Sequence, residues 1–256
     1  MLSEHTELNR LGAVTALWFT EDATQLLVGG ETGQIEVWRV DESGLMARAH
    51  ALRKHRRSVR GLACNPSGKI VVSGSVDGEV IWQQSSEGGK SESLKAFHSG
   101  VQAIHLPSRG TNLLASDGSR LLTINLRSHE IVRNISLESY PTDVVAFSPD
   151  GAELALARRR KIGIWDTQTG LRLTELTDER QTQWSAIFIP NGQGLLSGGS
   201  GRITAWDVEK SAVGQQFKMG TRYVKSIAVS RDGSLVAAVG HAPLQTLQVV
   251  RIPSDG

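Results

Sequence analysis

Short apolar runs separated by polar turns repeat along the whole chain. The runs are rich in valine, isoleucine and leucine, which is typical of β-strands. Four of them have similar endings that contain a tryptophan: IEVWRV at 35–40, VIW at 80–82, IGIWD at 162–166 and ITAWD at 203–207. These four tryptophans, Trp38, Trp82, Trp165 and Trp206, are separated by 44, 83 and 41 residues. Because the middle interval is almost twice the others, the pattern predicts a repeat of about 42 residues in which one copy lacks the tryptophan.

A second landmark recurs with the same period. It consists of an apolar run, a tight turn and another apolar run, and in five of the six copies the turn contains proline, glycine or asparagine. Proline presets φ and glycine or asparagine permits positive φ, so the pattern predicts β-hairpins. Six copies occur, at 18–29, 63–74, 105–116, 146–157, 188–199 and 228–239. In the third and sixth copies the following strand has no tryptophan and reads LLTINL at 121–126 and LQVVRI at 247–252.

This period, with a strand that ends in Trp-Asp, is typical of propeller blades, and the chain resembles the WD-repeat (WD40) β-propeller family over nearly its whole length. The best match is the second copy, with His55, Ser73, Asp77-Gly78 and Trp82. The resemblance implies that His55, Ser73, Asp77 and Trp82 form a buried hydrogen-bond network that ties the turns of the blade to its third strand. Other copies depart from the pattern, and the fourth has three arginines where Asp-Gly is expected.

The expected fold is all-β: one domain over residues 1–256, built as a propeller of six blades with four antiparallel strands each. The sixth copy lacks its outer strand, and residues 2–11 form a spare segment before the first strand of the first copy. We expect residues 2–8 to complete the last blade and close the ring, which protects the sheet edges. The alternative is that the chain is a fragment of a seven-bladed propeller.

Composition narrows the class of protein. Hydrophobic residues make up 39% of the chain and charged residues 21%, which is compatible with a packed core. The single cysteine, Cys64, excludes an internal disulfide and is expected in the core. The sequence has neither an apolar run long enough to span a bilayer nor the apolar region of a secretory signal. These features predict a monomeric, cytoplasmic protein without membrane association.

Catalytic motifs are absent from the sequence. It contains no G-x-S-x-G, Walker A, H-E-x-x-H or C-x-x-C pattern. His55 and His98 fall at turns where the resembled family has a structural histidine. Propeller enzymes gather polar groups at the starts of their inner strands, which here are Val14, Val59, Val101, Asp143, Trp184 and Val224. One carboxylate among six is a poor active site, so we expect no catalytic residue, no metal and no cofactor.

Charge is distributed unequally over the expected turns. The connectors between blades and the turns between second and third strands should lie on one face, called the basic face here. This face receives thirteen basic and four acidic residues, and the opposite face six basic and thirteen acidic residues, within a net charge of +2. Such a separation focuses a positive potential on one side. The candidate binding residues are Arg53, Lys54, Arg56, Arg57, Arg120, Arg158, Arg159, Arg160, Lys161, Arg202 and Arg222.

Three classes of function remain open, together with the plain alternative that the charged loops are only solvated. The leading hypothesis is a non-catalytic scaffold for protein partners, with the basic face docking an acidic partner, by analogy with the fold. The second is a binder of phosphorylated or nucleic-acid ligands. Against nucleic acid, the basic face offers few aromatic side chains for base stacking, mainly Tyr140, Trp184 and Tyr223. The third, a propeller enzyme, is disfavoured by the apolar starts of the inner strands.

Overall fold

A computed structural model describes residues 11–41, 46–107, 111–137, 142, 144–190, 194–230, 232–241 and 246–251. The regular structure of these residues is entirely β. The chain divides into two compact units, the first comprising Met1–Asp117 with Leu122–Asn134 and the second Gly118–Leu121 with Ile135–Gly256. Each unit is described by itself below. The organisation as a single domain stays a prediction.

The described strands fall into six groups. Those of the first three groups are β1 (Val14–Phe19), β2 (Gln25–Gly30), β3 (Ile35–Val40), β4 (Met46–Leu52), β5 (Val59–Cys64), β6 (Ile70–Ser75), β7 (Glu79–Gln84), β8 (Ser91–Lys95), β9 (Ala103–His105), β10 (Asn112–Ser116), β11 (Arg120–Asn125) and β12 (Glu130–Ser136). Those of the last three are β13 (Val144–Phe147), β14 (Glu153–Arg158), β15 (Lys161–Asp166), β16 (Arg172–Thr177), β17 (Ser185–Phe188), β18 (Leu195–Gly198), β19 (Arg202–Asp207), β20 (Ala212–Lys218), β21 (Tyr223–Val229), β22 (Leu235–His241) and β23 (Thr246–Arg251).

Six sheets result, in which each strand lies beside the next one along the chain. We number them sheet 1 (β1–β4), sheet 2 (β5–β8), sheet 3 (β9–β12), sheet 4 (β13–β16), sheet 5 (β17–β20) and sheet 6 (β21–β23). Neighbouring strands are antiparallel, as in the pairs β1–β2 and β14–β15. The predicted fold class, an all-β protein of six antiparallel blades, is confirmed. Residues 2–8, predicted to add a fourth strand to sheet 6, lie outside the described residues, so that closure stays a prediction.

The core lies between successive sheets of each unit. In the first unit, β1 contacts β5 and β5 contacts β9, so the first strands of the three sheets lie side by side. The second unit repeats the arrangement with β13, β17 and β21. Apolar side chains fill the spaces, for example Val59 and Leu62 against Leu27 of the preceding sheet. Cys64 belongs to the same cluster and is buried, as expected, and burial raises the pKa of its thiol.

Four of the third strands contain a tryptophan, and all four tryptophans are buried. Trp38, Trp82, Trp165 and Trp206 are each no more than 6% exposed. Trp82 and Trp206 belong to apolar clusters that join sheet 2 to sheet 3 and sheet 4 to sheet 5, so their strands mark where these sheets pack together. Within the described residues, no helix is long and apolar enough to cross a membrane.

Candidate functional site

Residues 53–57, the basic connector, join β4 to β5 in the first unit. The connector is held at its centre by His55, which is 1% exposed among four exposed basic neighbours. The imidazole Nε2 forms a 2.8 Å hydrogen bond with Ser73 Oγ, and the backbone N–H of His55 donates to Gly33 O at 2.9 Å. Because histidine is the inward residue of the connector, its neighbours are directed toward solvent.

Further hydrogen bonds fix the connector on both sides of His55. The backbone N–H of Arg53 donates to Gln83 Oε1 at 2.9 Å, and that of Arg56 to Asp77 Oδ2 at 3.0 Å. Ser75 Oγ donates to the carbonyl of Arg57 at 3.0 Å. The backbone is thus immobilised while the charged side chains are not, an arrangement that presents cations at low entropic cost to a partner.

Most of the connector's charges are available. Lys54, Arg56 and Arg57 are exposed, and none of them forms an ion pair with the described part of the chain. Arg53 is partly engaged, with Nη2 at 3.5 Å from Glu79 Oε1 and 3.2 Å from Ser93 Oγ. A small cleft of about 340 Å³ lies beside these groups and is lined by Arg53, Lys54, Arg56, Asp77, Glu79 and Lys95.

The predicted structural network is present only in part. His55 Nδ1 lies 3.6 Å from Asp77 Oδ2, and the Asp77 side chain is 10% exposed. The indole of Trp82, however, forms no hydrogen bond with Ser73 in the described structure; its ring lies 5.2 Å from that of His129. The tryptophan–serine bond does occur in sheet 5, where Trp206 Nε1 donates to Ser197 Oγ at 2.8 Å. The link expected at Trp82 is therefore found in a copy that has no histidine before its first strand.

The ligand atoms of His55, Asp77 and Glu79 lie within 4.8 Å of one another, which raises the question of a metal site. The surroundings do not suit a cation. Both Asp77 oxygens already accept backbone N–H groups, from Arg56 and from Glu79. Arg53, Lys54, Arg56 and Lys95 line the same cleft. We therefore interpret the three residues as anchors of the basic connector.

Burial lowers the pKa of His55 below its usual value near 6.5, and the carboxylates of Asp77 and Glu79 offset part of this shift. The folded protein therefore takes up the proton at lower pH than the unfolded chain does. By linkage, the stability contributed by neutral His55 is present above pH 6.5 and is lost as the pH falls through that value toward the lower folded pKa. We expect an NMR titration to place the His55 pKa below that of the same residue in the urea-unfolded chain. We also expect Asp77→Asn to lower the folded pKa further. An unchanged or higher pKa in that variant would contradict this assignment.

The second basic run, Arg158–Arg159–Arg160–Lys161, forms a two-residue hairpin turn in the second unit, called the arginine turn here. Arg158 pairs with Lys161 in the register of β14 and β15. Arg159 has a φ of 52°, in the left-handed region that favours glycine. Both turn carbonyls are held by the connector to the next sheet, since Gln183 N donates to Arg159 O at 2.6 Å and Asp178 N to Arg160 O at 3.0 Å.

A cleft of about 730 Å³, called the arginine cleft here, opens beside this turn. It is lined by Thr142, Leu156, Arg158, Arg159, Arg160, Lys161, Gly163, Trp165, Arg172, Glu175, Glu179 and Thr182. Glu175 bridges Lys161 at 2.5 Å and Arg172 at 3.1 Å. Arg160 lies 3.4 Å from Glu179, with both side chains largely exposed. Among the described residues that line the cleft, five cationic side chains face two carboxylates, an excess of positive charge.

The remaining predicted binding residues lie apart from these two clusters along the chain. Arg120 and Arg202 begin β11 and β19 and are half-buried. Arg202 donates to Gln216 Oε1 at 3.2 Å. Arg222 precedes β21 and lies 5.3 Å from the centre of the Tyr223 ring. The two basic runs belong to different units, so their membership of one common face stays a prediction.

Sequence reasoning missed the strand β16 side of the arginine cleft. Arg172 lies opposite Trp165 and Glu175 opposite Gly163 in the β15–β16 register. Counting residues back from the hairpin turn at Gly170 would have placed Arg172 and Glu175 beside β15, the strand that begins at the end of the arginine turn. Thr142 carried no such signal, because it precedes β13 and reaches the cleft only through the packing of the second unit.

The fold and the two clusters define a β-propeller of WD40 type with basic turns. Residues 47–82 match the family model described as WD domain, G-beta repeat. A chain in a crystal structure of the mitotic checkpoint complex superposes with a TM-score of 0.77 at 19% identity, over 94% of this chain and 75% of that one. This likeness shows the fold alone. The chain is a WD40-repeat protein, as the sequence predicts.

Several curated proteins are similar over much of the chain. WD repeat-containing protein 90 of Xenopus tropicalis is 28% identical over 84% of this chain, and the periodic tryptophan protein 2 homolog of Schizosaccharomyces pombe is 34% identical over 70% of it. WD repeat-containing protein VIP3 of Arabidopsis thaliana is 27% identical over 89%. The chain spans 9%, 19% and 62% of the lengths of these relatives.

Proposed function

We propose that the chain is a non-catalytic protein-interaction platform that docks an acidic protein partner through the basic connector and the arginine turn. The observation that carries the proposal is the same in both places. The backbone is tied down by hydrogen bonds, while Arg56 and Arg57 in one and Arg159 in the other are exposed and form no ion pair within the described part of the chain. Arginines on a fixed backbone can bind carboxylates bidentately with little loss of chain entropy.

The contacts that Trp184 and Tyr223 already make within the protein favour a protein partner over nucleic acid. Trp184 and Tyr223 already contact each other edge to face, with ring centres 5.7 Å apart. The ammonium of Lys225 lies 4.2 Å from the centre of the Trp184 ring. Their faces are thus engaged within the protein, whereas binding of single strands relies on open aromatic faces. Relatives of this chain include the Arabidopsis pre-mRNA-processing factor 19 homolog 2 and the mouse U3 small nucleolar RNA-associated protein 4 homolog, so nucleic acid is kept as an outcome of the test.

The test is affinity capture with a variant in which Arg56, Arg57, Arg159 and Arg160 are all changed to Glu. We expect the wild-type chain to capture partners at about 0.1 M salt and to lose them at about 1 M, because screening shortens the range of exposed charges. We expect the fourfold variant to capture none of them. Its melting temperature should stay close to that of the wild type, since exposed charges contribute about 0–1 kcal/mol each to stability.

A matched control reverses the charges of four other exposed basic residues that form no ion pair with the described residues: Arg60, Lys69, Lys90 and Arg127. This control should retain the partners. Equal loss in both variants would show that only total charge matters and would refute docking through the two clusters. Capture that disappears after nuclease treatment would favour nucleic acid instead. The monomeric state and the cytoplasmic location stay predictions.

A further inference from the structure

We propose that the arginine cleft recognises a phosphorylated side chain, so that docking on this part of the protein depends on phosphorylation of the partner. The inference rests on the proposed docking function and adds to it the chemistry of one contact. It follows from four features of the second unit: the excess of cations in the cleft, the strained position of Arg159, the weak pairing of its neighbours and an unpartnered hydroxyl.

Arg159 is an exposed cation at the cleft. Its side chain is exposed and forms no ion pair within the described structure. Its φ of 52° is costly for a residue with a side chain, and glycine would adopt it more easily. The hairpin turns at Gly33, Gly78 and Gly118, which likewise join second and third strands of sheets, do have glycine at positive φ. Glycine would remove this backbone strain, so the presence of arginine at position 159 points to a role for its side chain.

The existing ion pairs favour a phosphate over a carboxylate as ligand. Arg160 already has a carboxylate, Glu179, but the side chains are 59% and 76% exposed, and such exposed pairs contribute little. A carboxylate ligand would only repeat what Glu179 supplies. A phosphate monoester carries a charge of about −1.5 to −2 at neutral pH and three acceptor oxygens, so it can bind Arg159 and draw Arg160 away from Glu179 at the same time.

The wall and the floor of the cleft fit a phosphorylated residue in a peptide. Thr142 lies on the wall, is 7% exposed, and its hydroxyl has no hydrogen-bond partner among the described residues. A buried hydroxyl without a partner costs stability, and a phosphate oxygen would accept its proton. Leu156 and Trp165 form an apolar floor for the neighbouring part of a peptide. The volume of about 730 Å³ accommodates several residues rather than a lone anion.

The probe is a fluorescein-labelled pool of heptapeptides with a central phosphoserine and mixed flanking residues. The same pool with serine or with glutamate at the centre provides the comparison. We expect fluorescence anisotropy to detect saturable binding of the phosphoserine pool, competed by inorganic phosphate. We expect binding of the serine and glutamate pools to be at least about tenfold weaker, the factor that the loss of one charge-assisted hydrogen bond implies.

Two variants separate binding from folding. Arg159→Gly removes the guanidinium and relieves the backbone strain, and Thr142→Val removes an unsatisfied hydroxyl. Each should weaken phosphopeptide binding, the first at least about tenfold, while the urea midpoint of unfolding stays equal or rises. Lys69→Ala, which removes an exposed charge outside the cleft, should leave binding unchanged. Loss of binding with a lower midpoint would indicate damage to the fold and would count against the proposal.

The outcomes distinguish this inference from the docking proposal. If Arg159→Gly binds the phosphoserine pool as the wild type does, or if the glutamate pool binds equally well, phosphate recognition is refuted. If no pool binds while partners are still captured through the two basic clusters, only the present inference fails. If the phosphoserine pool binds but charge reversal leaves the captured partners unchanged, the docking proposal fails and the cleft remains a phosphate site.

Discussion

Trp206→Ala is expected to lower the free energy of unfolding by about 3–5 kcal/mol, the range for truncation of a buried tryptophan. Trp206 is 3% exposed and belongs to the cluster between sheets 4 and 5, in contact with a core that includes Phe188 and Leu195. Truncation leaves a cavity between two sheets and deprives Ser197 Oγ of the indole donor at 2.8 Å. Urea unfolding followed by circular dichroism measures the loss as a shift of the transition of the second unit.

Trp206→Phe is the matched control for this prediction. The phenyl ring fills most of the same space but cannot donate to Ser197, so we expect a smaller loss of about 1–3 kcal/mol, the cost of one unsatisfied buried group. A Phe variant as unstable as the Ala variant would mean that the hydrogen bond, rather than the volume of the ring, determines stability here. An Ala variant within about 1 kcal/mol of the wild type would contradict the assignment of Trp206 to the core.

Much of the fold could be predicted from the sequence because the repeated signals are local. The apolar runs at 14–19 and 35–40 became β1 and β3 with the expected bounds, and the turn residues between them set the hairpins. The tryptophans are buried as their spacing implies, because each occupies the equivalent place in its sheet. Period and apolar strands agree in all six copies and the turn residues in most of them, and such agreement between levels specifies a fold.

The candidate site was less predictable because it depends on contacts across strands and connectors. The arginines were identified by type, but the clamp on the turn by Asp178 and Gln183 depends on how one connector packs against one hairpin. The ion pairs of Glu175 follow from the β15–β16 register. The network at His55 was expected from the family resemblance. The absence of a hydrogen bond between Ser73 and Trp82 could not be foreseen, because both residue types match the family pattern.

Gly78→Ala should have a comparably large effect through the backbone. Gly78 lies in the turn between β6 and β7 with a φ of +80°, which costs a residue with a side chain about 1–2 kcal/mol. A Cβ there would collide with the carbonyl oxygen of Phe97, backbone that cannot swing aside as a side chain can. The carbonyl of Gly78 accepts the N–H groups of Ala96 and Phe97, both at 3.0 Å, so relief of the collision would break the contacts that seat Phe97, a 1% exposed core residue. Overpacking of this kind adds about 1–3 kcal/mol.

The chain offers a control for this change in the same sheet. Gly88, in the turn between β7 and β8, has a φ of +67°, and a Cβ there would meet nothing within 4 Å. Gly88→Ala should therefore lower the free energy of unfolding only by the cost of a positive φ at alanine. Because alanine also makes the unfolded chain less flexible, the net loss should be about 1 kcal/mol. Urea midpoints of the two variants, measured side by side, isolate the collision. If the free energies of unfolding of the two variants agree within about 0.5 kcal/mol, the backbone around Phe97 yields to an added methyl group. In that case the turn at Gly78 does not hold the β8–β9 connector in place.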